Sequence, residues 1–218
     1  YLIVKMKVLI ISVPRSGSTS IFRGLYNSLD GYMGFDEPFN GSDEGFGDKK
    51  QNYNLNSSNL IVKLLTGDLA FLSPIRDYIF SENYVSFKDL IPLFAEKLVE
   101  YSTNFNRIIL LDRKNHYLAA QSLQYAGDRE EKTHYHKKYK YNLNNNVKPQ
   151  IFNFLNNHRI LLNEVSKSLN LNINYYEDIY TNNPNDAIKF LNNNKIELNN
   201  FNKFYKFINL KNKYRQNE

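Results

Sequence analysis

Cysteine is absent from the 218 residues. That excludes disulfides, a thiol nucleophile and thiolate metal sites. Long hydrophobic runs are missing too. The apolar stretch Val8–Val13 is far shorter than a membrane span requires. No stretch reads as a secretory leader, and the chain starts at Tyr1 rather than Met. The expectation is a cytoplasmic protein with no membrane span. No cluster of His, Asp and Glu has metal-ligand spacing, so no metal is expected.

Enough apolar residues are present for a real core. Hydrophobic residues make up 42% and aromatics 15% of a 25.7 kDa chain. That size suits one domain over residues 1–218. The net charge is +6, with an isoelectric point near 9.2. This favours an anionic partner: a nucleotide, a sulfated or phosphorylated ligand, or nucleic acid. The charge is modest and spread along the chain, so nucleic acid is not required. Asparagine fills roughly one position in seven, well above ordinary usage. It reads as compositional bias that marks loops and helix ends.

Apolar, β-branched runs predict strands at Lys7–Ser12, Leu60–Leu65, Arg107–Leu111 and Leu171–Tyr176. Helical spacing predicts helices at Ser18–Leu29, Phe87–Tyr101, His116–Ala126 and Ile151–Leu169. Ser86 with Asp89 is a capping signal for the second of these. Asn183-Pro184 opens a short helix through Leu191. Alternating strands and helices imply an α/β fold: a central, mostly parallel sheet flanked by helices, in three P-loop-like layers. Asn40–Asn59 and Asp128–Asn146 read as irregular segments. They are either plain surface loops or walls of the crevice at the carboxyl ends of the strands.

Two strand-to-helix junctions carry chemistry. The first is "VPRSGSTS", from Val13 to Ser20. Free N–H groups of a first helical turn and the helix dipole attract an anion. Gly17 allows close backbone approach. Ser16, Ser18, Thr19 and Ser20 supply hydroxyls, and Arg15 a forked charge. The glycine and Gly-Lys pair of the nucleotide-hydrolysing P-loop are missing. A plain strand–turn–helix corner is the competing reading. The second junction is "LLDRKNHYLAAQS", where Arg113 and Lys114 stand between strand and helix and Ser122 about two turns further on.

Together with "INYYEDIYTNNP", these two motifs resemble the PAPS-dependent sulfotransferases, closest to the bacterial and carbohydrate-type members. PAPS, 3'-phosphoadenosine 5'-phosphosulfate, needs two anion sites. The resemblance implies that Arg15, Ser16, Gly17, Ser18, Thr19 and Ser20 hold the 5' phosphosulfate. It implies that Arg113 and Ser122 hold the 3' phosphate. Ser122 lies nine positions after Arg113 and eight after Lys114. Many members show eight, so either cation is a candidate. The "YED" element at Tyr176–Asp178 is expected to be structural. The glycine-rich basic motif near the end of cytosolic members is not found here.

The activity implied is in-line transfer of a sulfuryl group from PAPS to a hydroxyl or amine, with Arg15 neutralising the leaving oxygen. Glu37 in "GFDEPFN" is the first choice of base, with Asp36 the near alternative. Lys63, inside the apolar strand "LIVKLL", either assists the sulfuryl group or snorkels. His134 and His136 could meet the acceptor. His116 reads as packing or capping, and His158 as a surface or core residue. The "THYHKKYKY" stretch suits stacking on an acceptor, stacking on bases, or a solvated helix face. The basic aromatic tail could close over the nucleotide. The acceptor, whether sugar, lipid or small alcohol, is not written in these motifs. Two other functions compete: a P-loop nucleotide kinase or NTPase, and a non-enzymatic basic module that binds nucleic acid or a sulfated polymer.

Overall fold

Strand β1 (Lys7–Ser12) has an apolar residue at every position from Val8 to Ile11, and all four are fully buried. A run without polar alternation is what a strand needs when both faces of its sheet are covered. The computed structural model describes residues 6–39, 47–48, 52–68, 87–132 and 147–215. His134, His136, Ser86 and most of the Asp128–Asn146 segment lie outside the described residues.

The elements follow as α1 (Ser18–Ser28), β2 (Met33–Asp36), β3 (Leu60–Leu65), α2 (Phe87–Ser102), β4 (Arg107–Asp112), α3 (His116–Lys132), α4 (Pro149–Leu169), β5 (Ile173–Tyr175), α5 (Tyr176–Ile179), α6 (Pro184–Asn193) and α7 (Phe201–Arg215). The five strands form one sheet in the order β2-β3-β1-β4-β5. Every pairing is parallel. The result is the three-layer, P-loop-like α/β architecture that the alternation of elements predicts. No helix among the described residues is long and apolar enough to cross a membrane.

Side-chain alternation divides the core in two. Leu9, Ile11, Val62, Leu64 and Leu110 face α2, α3 and α4. Val8, Ile10, Ile61, Ile109 and Leu111 face α1, α6 and α7. Each fully buried Leu, Ile or Val contributes about 1.5–3 kcal/mol, so the four such residues of β1 are enough to anchor the central strand. Helix α1 packs closely on α7, where a Cβ on Gly24 would come 2.7 Å from the Phe204 ring. This docks the first part of α7, which the tail composition alone had not marked as helix.

Three further differences from the sequence-based expectation have physical causes. Strand β2 is only four residues long and contains Gly34, a poor strand former. Pairing with β3 and two contacts with Asp48 hold it: Gly34 N–H donates to Asp48 Oδ2 at 2.7 Å, and Asp48 N–H donates to Gly34 O at 2.7 Å. Strand β5 is shorter than expected because Tyr176 already begins the α5 turn. Helix α3 continues to Lys132 through a polar sequence that lacks an apolar stripe.

Candidate functional site

In a parallel sheet the ligand crevice opens at the carboxyl ends of the strands, where the chain reverses direction across the sheet. Here β1 lies between β3 and β4. The loop after β1 therefore meets residues that follow both neighbours.

That loop, Val13–Gly17, is built on two left-handed residues. Arg15 has φ 68° and Gly17 φ 82°. A non-glycine residue in this region costs on the order of 1 kcal/mol or more, and such costs concentrate at working sites. Gly17 is required for a second reason: a Cβ there would lie 2.5 Å from the Tyr176 ring and 2.9 Å from the Tyr180 ring. Tyr180 Oη donates to Gly17 O at 2.6 Å and locks the turn. The N-cap residue of α1, Gly17, has no side chain to cap it, and the first turn of the helix holds no acidic residue. The helix therefore brings no acidic residue of its own to the positive end of its dipole. Ser16 is 1% exposed, and its Oγ has no hydrogen-bond partner among the described residues. A buried hydroxyl without a partner costs free energy, and sites that receive a ligand are where such groups are kept.

Arg15 is exposed and reaches across the crevice. Its Nε donates to Ser122 Oγ on α3 at 2.9 Å. The two motifs that the sequence resemblance assigns to separate phosphates are therefore neighbours.

The second junction is held differently. Arg113 is buried, with its guanidinium 5.0 Å from the Tyr176 ring centre and its Nε 3.6 Å from Glu177 Oε1. Asp112 Oδ1 accepts the Arg113 N–H at 2.7 Å, and Asp112 Oδ2 accepts from Arg159 Nε at 3.2 Å. Burial raises the Asp112 pKa, against the lowering effect of the Arg113 N–H and of Arg159. Glu177 also accepts the backbone N–H groups of Lys114 (2.8 Å) and Asn115 (3.1 Å). Lys114 points to the surface, 2.5 Å from Asp178, which raises its pKa. The "YED" element thus braces this junction, in keeping with the structural role expected of it.

Lys63 is 2% exposed on the α1 face of β3. Burying a charge without partners costs several kcal/mol. Strand β2 supplies partners, because register sets Asp36 beside Lys63. Lys63 Nζ lies 2.7 Å from Asp36 Oδ1, forms an ion pair with Glu37, and donates to Thr19 Oγ1 at 3.1 Å. Glu37 is left-handed at φ 53°, and its N–H donates to Lys63 O at 2.8 Å. One lysine so links the expected base, its alternative Asp36, and the first turn of α1. Among the expected residues, Arg15 and Ser122 meet across one part of the crevice, and Glu37, Lys63 and Thr19 meet in another. Arg113 stacks on the ring that packs against Gly17. Lys114 turns to the surface, toward Asp178.

The sequence reading missed Asp68 and Arg159 at the same edge, and took His158 as a surface or core residue, of which burial selects the second. Asp68, just past β3, accepts the Leu65 N–H at 2.7 Å. Burial, opposed by that N–H and reinforced by Glu37, pushes its pKa up to about 7. On α4, His158 Nδ1 lies 2.6 Å from Thr66 Oγ1, and burial lowers the His158 pKa to about 4. Arg159 is its neighbour. Both sit one turn from the buried Leu155 and Leu162. Polar residues on the core-facing stripe of an amphipathic helix were the available signal. His116 opens α3.

Among the described residues, no group of three or more His, Asp and Glu is placed to hold a metal ion. An open cleft of about 440 Å³ lies elsewhere, on the outer side of β5 between Asn174, Asp178 and Lys189, away from the Arg15 loop. Comparison with protein-family models, with curated proteins and with solved structures finds no match to this chain.

Proposed function

We propose that the chain is a sulfotransferase that moves a sulfuryl group from PAPS to a hydroxyl or amine acceptor. The observation that carries this reading is the 2.9 Å bond from Arg15 to Ser122. It means that two cationic strand–helix junctions share one crevice, which suits a nucleotide bearing two separate phosphates. The Ser16 hydroxyl, without a partner among the described residues, and the start of α1, which has no acidic residue of its own, fit the 5' group. Arg113 and Ser122 fit the 3' phosphate.

In the transfer, the bond between sulfur and the bridging phosphate oxygen breaks and one from the acceptor oxygen to sulfur forms. Glu37 takes the acceptor proton, and the leaving bisphosphate keeps the electron pair. Arg15 and the N–H groups of α1 stabilise the charge that grows on the leaving oxygen. Lys63 holds Glu37 in place and ties it to Thr19 on the helix that carries the donor.

Thermal unfolding with added nucleotide tests the reading. The product 3'-phosphoadenosine 5'-phosphate should stabilise the chain strongly, by about 2.7 kcal/mol at a hundredfold excess over Kd. ATP, without a 3' phosphate, should do far less. Equal stabilisation by both would favour a nucleotide kinase. No stabilisation by either would remove the nucleotide site.

A further inference from the structure

Behind the second junction lies an ion pair that the transfer reaction as described does not use. Arg159 on α4 and Asp112 at the end of β4 are both buried. Arg159 Nε donates to Asp112 Oδ2 at 3.2 Å. Leu110, two residues before Asp112 on β4, belongs to the core that α4 covers. Alternate residues of a strand share a face, so Asp112 meets α4 from the same side. A buried ion pair seldom adds net stability, because dehydrating two charges offsets their attraction. This one calls for another account.

The other oxygen of Asp112 supplies it. Oδ1 accepts the Arg113 N–H at 2.7 Å. One carboxylate thus joins the charge of α4 to the backbone of the residue that fits the 3' phosphate. The Arg113 guanidinium lies 5.0 Å from the Tyr176 ring centre. Tyr176 belongs to the core on the other side of the sheet and packs against Gly17 of the anion loop. The contacts run from α4 to that loop without a break. Beside Arg159, the His158 ring ties α4 to the end of β3, with Nδ1 2.6 Å from Thr66 Oγ1.

The pairing has a chemical consequence. Burial favours the neutral form of Asp112, and the Arg113 N–H, Arg159 and His116 oppose it. A charged carboxylate accepts a hydrogen bond more strongly than a neutral carboxyl group does. Without Arg159, Asp112 is a buried charge that has lost its ion-pair partner. It then takes a proton or turns toward another donor. Either way its hold on the Arg113 N–H weakens, and the turn that presents Arg113 loosens.

From this geometry we infer that Arg159 is a positioning residue for the second anion site. Acting through Asp112, it fixes the backbone of Arg113 and so sets the preference for a ligand with a 3' phosphate. The identity of that ligand rests on the sulfotransferase reading. The relay from Arg159 to Arg113 does not.

The test is calorimetric titration of the full chain with 3'-phosphoadenosine 5'-phosphate and with adenosine 5'-phosphate. Arg159→Gln should weaken the bisphosphate roughly fivefold, the scale of one hydrogen bond, and leave adenosine 5'-phosphate nearly unchanged. Arg159→Lys keeps the charge beside Asp112 and should keep most of the preference. Asp112→Asn leaves Arg159 charged without its carboxylate and should lose it. The double variant, Asp112→Asn with Arg159→Gln, pairs two neutral amides and keeps an oxygen for the Arg113 N–H, so it should regain the preference. A merely structural role would lower both ligands together and give the double variant the sum of the single losses. Either result overturns the inference, as does a wild type that does not discriminate or a preference that survives Arg159→Gln. If Arg159→Gln does not fold, Asp112→Asn against the double variant makes the same comparison. If the wild type takes up neither nucleotide, the sulfotransferase reading fails by itself. Titration with inorganic phosphate then decides the relay alone: it should bind the wild type, weaken in Arg159→Gln and recover in the double variant. Phosphate that does not bind, or that ignores Arg159→Gln, overturns the inference too.

Discussion

The β1–α1 and β4–α3 junctions are alike in sequence logic and opposite in electrostatics. The first keeps its donors open. Arg15 is exposed, Ser16 Oγ has no hydrogen-bond partner among the described residues, and the first turn of α1 holds no acidic residue. The second is closed by carboxylates. Asp112 and Glu177 take the backbone N–H groups of Arg113, Lys114 and Asn115. An anion entering the first junction completes a set of unsatisfied groups. One entering the second must draw Arg113 away from Glu177. The first should therefore supply most of the affinity, and the second should supply selectivity for a 3' phosphate.

The largest effect should come from neither junction but from Glu37, the proposed base, beside the first. Glu37→Gln should slow sulfuryl transfer roughly 100-fold or more, within the usual range for a general base. It should leave bisphosphate affinity nearly unchanged, because in the proposed transfer Glu37 meets the acceptor and not the nucleotide. Turnover close to wild type would move the role to Asp36, which shares Lys63 with it.

Arg15→Ala comes next. Loss of one charge-assisted contact at an exposed site should weaken the bisphosphate by about 10- to 100-fold. Adenosine 5'-phosphate should weaken by a similar factor, since both carry the 5' group. Calorimetric titration of the two ligands reads this directly. Unaltered binding would reverse the contrast between the junctions and remove the anion loop from the site.

A pH experiment probes the ground beneath the first junction. Asp68 has a folded pKa of about 7, against an unfolded value near 4. Between those values the folded chain holds a proton that the unfolded chain has lost, so stability falls as pH rises. His158 has a folded pKa of about 4, against an unfolded value near 6.5. Between those values the folded chain lacks a proton that the unfolded chain holds, so stability rises with pH. The two slopes oppose each other from about pH 4 to 6.5, each on the order of 1 kcal/mol per pH unit at most. Relative to wild type, Asp68→Asn should gain stability as pH rises across that window, and His158→Gln should lose it. Denaturant unfolding at several pH values measures both. Variant and wild-type curves that run parallel would mean that neither group titrates as its burial implies.

Much of this arrangement could be read from the sequence, and the part that could not has a single cause. Strands β1, β3 and β4 are mostly apolar and rich in Ile, Val and Leu, so local composition reveals them. Lys63 stood out as a charge inside such a run. Its pairing with Asp36 and Glu37 did not, because that depends on β2, whose Met-Gly-Phe-Asp sequence has no strand signature. Only the register of β2 on β3 brings Asp36 and Glu37 to Lys63. Likewise the contact of Arg15 with Ser122 spans 107 positions and follows from β1 lying next to β4. No local pattern encodes that order. Arg159 was hidden by a helix whose apolar stripe looked complete without it, and for His158 the sequence left surface and core open.

The smallest effect separates Arg113 from Lys114, which the spacing to Ser122 leaves as equal candidates for the 3' phosphate. Arg113 is buried against the Tyr176 ring that also packs on Gly17, so it faces the anion loop. Its pairing with Glu177 is long, at 3.6 Å. When Arg113 turns to a phosphate, Glu177 still keeps two backbone N–H bonds, so the exchange leaves no carboxylate stranded. Lys114 is exposed and already neutralised by Asp178 at 2.5 Å. Exposed pairs of this kind contribute little and are screened by salt. Arg113→Ala should weaken the bisphosphate roughly 10-fold while adenosine 5'-phosphate changes far less. Lys114→Ala should change either ligand by less than about threefold. The ratio of the two affinities in each variant is the readout, since a general loss of stability would lower both ligands together. A ratio that collapses in Lys114→Ala and not in Arg113→Ala would transfer the 3' phosphate to Lys114. The second junction would then have to open at its surface, with Asp178 released in place of Glu177.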